Sequence, residues 1–201
     1  RQEFGPSSYA FPLTVGWSRD GRNSSIFPTE GRFYRANAEV SALGDLQYAR
    51  LNLQAQQYLG LPYNLTLGLN GEIGWGFGLG SRPYPVFKNF YSGGLGSVRV
   101  FEQNSLGIVD PTGAYVGGTR KMNANAELYI PVPGMGNDKS LRFFAFFDIG
   151  NAWGEDQSVT WGSLRASTGL GISWVSPMGP LKLSYGTPVM YQGTDRIQPF
   201  Q

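Results

Sequence analysis

Strict two-residue alternation, sustained over segments longer than an ordinary strand, does most to narrow what this 201-residue chain can fold into. Successive side chains of an extended backbone point to opposite faces, so alternating apolar and polar residues mark a strand lying between two environments. Over 162–175, Leu164, Ala166, Thr168, Leu170, Ile172 and Trp174 share a face opposite Ser163, Arg165, Ser167, Gly169, Gly171 and Ser173. Over 141–150, Leu141, Phe143, Ala145, Phe147 and Ile149 oppose Arg142, Phe144, Phe146, Asp148 and Gly150. The stretch 122–130 sets Met122, Ala124, Ala126, Leu128 and Ile130 against Asn123, Asn125, Glu127 and Tyr129, and 63–77 alternates in the same way. With 9–19, 32–43, 47–59 and 179–188, this predicts eight strands. Helical periodicity is nowhere sustained, and no apolar run approaches the ~20 residues of a membrane-spanning helix.

The fold class is therefore all-β and antiparallel, and two architectures remain. In a soluble sandwich or barrel, such as a lipocalin-like binder, the apolar face is the core. In a transmembrane barrel the apolar face meets lipid and the polar face lines the lumen. Strand length favours the second, because soluble strands cluster near ~5–6 residues and tilted spanning strands need ~9–11. The polar face carries Arg35, Glu39, Arg50, Glu72, Glu127, Arg142, Asp148, Arg165 and Lys182 among small residues, as a narrow lumen requires. Composition agrees: 29 glycines, 14% aromatic and only 15% charged residues, against ~25% charged in typical soluble domains. Trp17, Tyr58, Tyr63, Trp75, Trp153, Trp174 and Tyr185 fall near strand ends, where interfacial aromatic girdles sit. Tight turns are expected at 44–45, 60–62 and 176–179, and a long loop of about 78–117 is long enough to suggest a task of its own.

Most catalytic chemistry is unsupported. The chain has no Cys and no His, so thiolate or imidazole nucleophiles, bases and metal ligands are missing. A net charge of +2 gives no footprint for nucleic acid. Gly74, Gly76, Gly78 and Gly80 alternate instead of following a phosphate-loop spacing, and they read as small lumenal residues. Glu127 and Asp148 lie on the polar face of neighbouring strands, where an ion pair with an arginine is the simpler reading than an acid–base pair. The sequence points to no enzyme, cofactor or metal.

Several blocks then lift the pattern out of anonymity. Trp17-Ser-Arg-Asp20 with Phe27-Pro-Thr-Glu-Gly31, Asn89–Gly94 with Ser97-Val-Arg-Val-Phe101, Phe146–Gly150 and Gly169–Pro180 together resemble the C-terminal barrel of the Omp85 superfamily, in its outer-membrane β-barrel assembly branch. The resemblance implies a barrel of about sixteen strands preceded by periplasmic POTRA domains, of which residues 1–201 would form the eighth to fifteenth strands, with 78–117 extracellular. It implies that Arg99 and Phe101 belong to a loop motif folded back into the lumen, and that Glu127 and Asp148 on the wall receive the arginine. Val100 stands where the family has Gly, and a β-branched residue is strained wherever φ is positive. The implied function is folding and inserting β-barrel proteins at the outer membrane of a Gram-negative bacterium. The partners implied are outer-membrane lipid, unfolded client barrels and assembly-machine lipoproteins. A two-partner-secretion transporter or a small porin-like pore is the alternative.

Overall fold

In the computed structural model, residues 11–24, 28–80, 84–85, 88–94, 97–134, 140–154 and 157–201 are described. Eight of the ten strands form one sheet: β1 (Leu13–Asp20), β2 (Gly31–Ser41), β3 (Tyr48–Gly60), β4 (Thr66–Gly78), β7 (Arg120–Pro131), β8 (Leu141–Trp153), β9 (Arg165–Ser176) and β10 (Gly179–Met190). β5 (Ile108–Val109) and β6 (Tyr115–Gly117) form a separate small hairpin. The large sheet is an up-and-down meander in the order β1-β2-β3-β4-β7-β8-β9-β10, with every neighbour antiparallel. Its strands run 8–13 residues, long enough to cross a bilayer at a tilt. Among the described residues β1 pairs only with β2, leaving its outer edge open.

All eight expected strands are present. The first runs over 13–20 instead of 9–19, and residues 9–10, like Phe27 in the link at 20–31, lie outside the described residues. Two starts move inward because single 3-10 turns, Pro62–Asn64 and Trp161–Ser163, precede β4 and β9. The long connection runs from Gly78 to Arg120 and holds the β5–β6 hairpin, whose strands are too short to show as alternation. Its signal was turn chemistry: Asp110 accepts from Thr112 and Ala114, and Gly113 takes φ 88°.

Register aligns the two faces across the sheet. Trp17, Ala36, Leu53, Ile73 and Met122 form one cross-strand row on the apolar face. Leu13, Val15, Trp17, Ile73, Trp75, Leu170, Trp174 and Leu183 on this face are exposed, whereas Asn123, Asp148 and Ser167 opposite are buried. An ordinary soluble core has the reverse arrangement, so apolar-out packing assigns this sheet to a membrane barrel wall. Two of the expected girdle aromatics are not exposed on the apolar face. Trp153 shares a cross-strand row with Trp75 through Arg120 but is buried, donating to Ser163 Oγ at 2.9 Å, and Tyr58 has the opposite parity and packs on the lumenal cluster.

The lumenal glycines make room for rings. A Cβ at Gly171 would collide with Phe144, one at Gly169 would meet Phe146 at 2.8 Å, and both rings come from the register-paired strand β8. On β4, Gly74 and Gly76 give the same room to Phe90 and Tyr84 of the long connection. Tyr84 is further fixed edge-on to Tyr48, and Arg50 lies 4.3 Å from the Phe90 ring. Lys88 joins Glu39 at 2.9 Å beside them.

Gly74→Val should lift Phe90 off β4 while leaving the ladder intact. Overpacking of about 1–3 kcal/mol corresponds to roughly a five- to 150-fold rise in the loop's open population. Trypsin cleavage after Lys88 in the detergent-folded protein should accelerate accordingly. Gly71→Val, on the apolar face with nothing within 4 Å of its Cβ position, should leave the rate unchanged.

Candidate functional site

The polar face of β7 and β8 receives the tip of the long connection. Parity and register place Glu127 of β7 opposite Phe146 of β8, and Asn125 opposite Asp148. Arg99 enters this corner with only 2% of its surface exposed and meets a fully buried Asp148. Its Nε donates to Asp148 Oδ2 at 2.6 Å, its Nη2 to Oδ1 at 2.8 Å, and its own backbone N–H to Oδ2 at 3.0 Å. The two-pronged guanidinium contact matches the planar carboxylate and fixes orientation as well as position. Glu127 Oε1 lies 3.4 Å from Arg99 Nη2, and Lys182 of β10 binds Glu127 Oε2 from the other side. Phe146 stacks 4.0 Å from the guanidinium centre, with Phe144 at 5.5 Å. Burial works against the arginine's charge, but the Asp148 hydrogen bonds and the Glu127 charge outweigh it and hold its pKa above the ordinary value.

Sequence reasoning placed Arg99, Glu127 and Asp148 together, and the structure brings them within contact. Phe101 is placed differently: it is fully buried with Val98 and Leu106, in the loop's own small core. The sequence reading missed the row of amides that orients Asp148. Gln54 donates to Asn70 at 3.1 Å, Asn70 to Asn125 at 2.9 Å, and Asn125 to Asp148 Oδ1 at 2.9 Å, crossing four strands. The signal was available, because all four residues share the polar parity of their strands. Asn125 also holds the carbonyl of Ser97, so one side chain ties wall to loop.

Val100 does take the left-handed conformation, with φ 77°, and is buried against Tyr129, Phe144 and Phe146. Such a residue costs on the order of 1–3 kcal/mol in backbone strain, and the surrounding contacts impose it. Gly186 accommodates it, since a Cβ there would lie 2.8 Å from Val100 Cγ2. The arrangement holds a loop. It offers no nucleophile with a base, and among the described residues no cluster of three or more acidic or metal-ligating side chains could hold a metal.

An inverted ranking follows at Val100. Val100→Ala removes buried methyls and keeps the strain, whereas Val100→Gly removes the same contacts and relieves it. Val100→Gly should therefore unfold at a higher denaturant midpoint than Val100→Ala, corresponding to about 1 kcal/mol of stability, opposite to the usual order at a buried site.

Comparison with known proteins agrees with this geometry. The Omp85 superfamily domain matches residues 5–201. The outer membrane protein assembly factor BamA of Neisseria meningitidis serogroup B is 36% identical over 94% of this chain and 27% of its own length. The sorting and assembly machinery component 50 homolog of Mus musculus is 32% identical over 89% of this chain and 41% of its own. The crystal structure of BamA from Haemophilus ducreyi lacking POTRA domains 1–3 superposes with a TM-score of 0.87 at 25% identity, covering 96% of this chain and 42% of that one. The chain thus spans less than half the length of these relatives. Its sheet order, its inverted faces and its domain match have one explanation: this chain belongs to the Omp85 superfamily.

Proposed function

We propose that the protein carrying this chain folds and inserts β-barrel proteins into the outer membrane of a Gram-negative bacterium. Support comes above all from the 36% identity to a protein named as an outer membrane assembly factor, which runs through 94% of the chain. The sorting and assembly machinery component 50 relatives match at lower identity. The lumenal geometry suits such a task better than free conduction, because the Arg99 loop packs into the space a transport pore would keep open. In this reading the 79–119 end of the sheet faces the exterior and outer-membrane lipid surrounds the apolar face. Unfolded client barrels engage strand edges, and assembly lipoproteins bind the intact protein. No catalytic step is involved. Insertion proceeds by strand pairing and local bilayer distortion. The Arg99, Glu127 and Asp148 cluster, with Phe101 in the loop core, keeps the loop docked during this work.

The test is complementation in a Gram-negative host depleted of its own assembly factor. The full-length protein should restore heat-modifiable, folded porins, and the 201-residue chain alone should not, since among the described residues β1 pairs only with β2. Asp148→Asn should strip Arg99 of its two-pronged carboxylate and leave Glu127, 3.4 Å away, as its remaining counter-charge, a loss of about 1–3 kcal/mol. It should cut porin assembly and expose the loop to protease. Full-length protein that gives unitary ion conductance and exports a polypeptide without restoring porins would overturn the reading.

A further inference from the structure

Residues 196–201 lie between β10 and the loop tip, and their hydrogen bonds alternate between the two. On the β10 side, Ser184 and Gln201 exchange backbone bonds at 2.6 and 2.8 Å, and Gly186 N–H donates to Pro199 O at 3.0 Å. On the opposite side, Glu102 N–H donates to Arg196 O at 2.9 Å and Gln198 N–H donates to Val100 O, bracketing an antiparallel bridge between Phe101 and Ile197. Gln201 closes the unit by donating from Nε2 to Phe101 O at 2.7 Å. The segment is therefore a strand with both edges occupied, one by β10 and the other by Val100–Glu102.

The β10 side weakens toward the start of this strand. Pro199 has no N–H to return to Gly186, and Pro188, next on the same edge of β10, has none to donate. Residues 196–198 thus have the loop tip as their backbone partner, through the two bonds described. The loop tip is in turn fixed by the Arg99–Asp148 clamp one residue away.

We infer that Val100–Glu102 is an edge cap, a short strand lent by the loop that occupies the outer hydrogen-bonding edge of 196–198 and keeps it from adding another strand. Its competitor is an extended segment of a client β-barrel protein, a step that rests on the assembly reading above. The carbonyl of Arg196 and the N–H of Gln198 present the donor–acceptor pair that an incoming antiparallel strand requires. Capping also protects an edge that would otherwise be a site of aggregation.

The test uses full-length protein folded in detergent, with any other cysteines removed; this chain contains none. Phe101 and Ile197 form the close, non-hydrogen-bonded type of antiparallel pair, whose spacing suits a disulfide. The Phe101→Cys/Ile197→Cys variant should therefore cross-link under mild oxidant. Separately, Gln198→Cys is offered a synthetic peptide copying Leu181–Tyr191 with one added cysteine. Capture of the peptide should be low in this background and rise about tenfold when Glu102→Pro removes the capping N–H. Asp148→Asn should raise it as well, and Glu102→Pro serves as the cap-opening variant that leaves the Arg99 clamp untouched. Absence of the Phe101–Ile197 cross-link in folded protein, or capture indifferent to Glu102→Pro, overturns the inference. Both readouts are independent of porin insertion, so their failure leaves the assembly reading intact. Loss of complementation alone leaves the cap intact.

Discussion

A buried guanidinium must have its counter-charge, and the long connection is organised around that requirement. Arg99 lies in a corner with almost no water, where an unpaired charge would cost several kcal/mol. Asp148 supplies the charge, the Gln54–Asn70–Asn125 row orients the carboxylate, and Phe146 gives the cation a polarisable wall. A hydrophobic pair of equal volume would give comparable stability, since desolvation consumes most of the ionic gain. The ion pair adds geometry: two prongs and a backbone N–H on one carboxylate allow a single docked pose.

That pose propagates in two directions. Toward the barrel wall it presses Val100 into a positive φ over Gly186 and among Tyr129, Phe144 and Phe146. Toward the end of the sheet it aligns Val100–Glu102 with Arg196–Gln198. The glycines of β4, β9 and β10 make both possible, because each yields its side-chain volume to a ring or a methyl from a neighbour. Small residues on one wall and aromatics on the other interdigitate as in any close-packed interior, although this interior is a lumen.

Much of the fold could be read from parity alone, because a membrane barrel imposes the same two environments on every strand. β7 and β8 follow their expected alternation over 122–130 and 141–149, and Glu127 and Asp148 emerge on the inner face by counting. Phe144 and Phe146 also lie on the polar side of the alternation, and Gly171, Gly169 and Arg99 packed against them explain the anomaly. What stayed hidden was non-local. Trp153 and Tyr58 have the right position along the chain for an interfacial girdle, yet the segment at Ser163 meets the first, which is buried, and parity turns the second inward. The β5–β6 hairpin is too short for periodicity, and only the Asp110–Gly113 turn announces it. No pattern in 196–201 shows that its second edge is taken by a segment about a hundred residues earlier.

The two prolines make that last contact consequential. A strand fully laddered to β10 would need no help from the loop, and the loop could leave without effect. Because Pro188 and Pro199 withhold donors on the β10 side, the order of 196–198 depends on a partner across the other edge. The same edge cannot serve the loop tip and an added strand at once, since each backbone group donates or accepts in one direction. The free energy that holds Arg99 on Asp148 is therefore also a barrier to strand addition. Weakening the β10 ladder by proline places control of that edge in the loop, where a charge pair can set it.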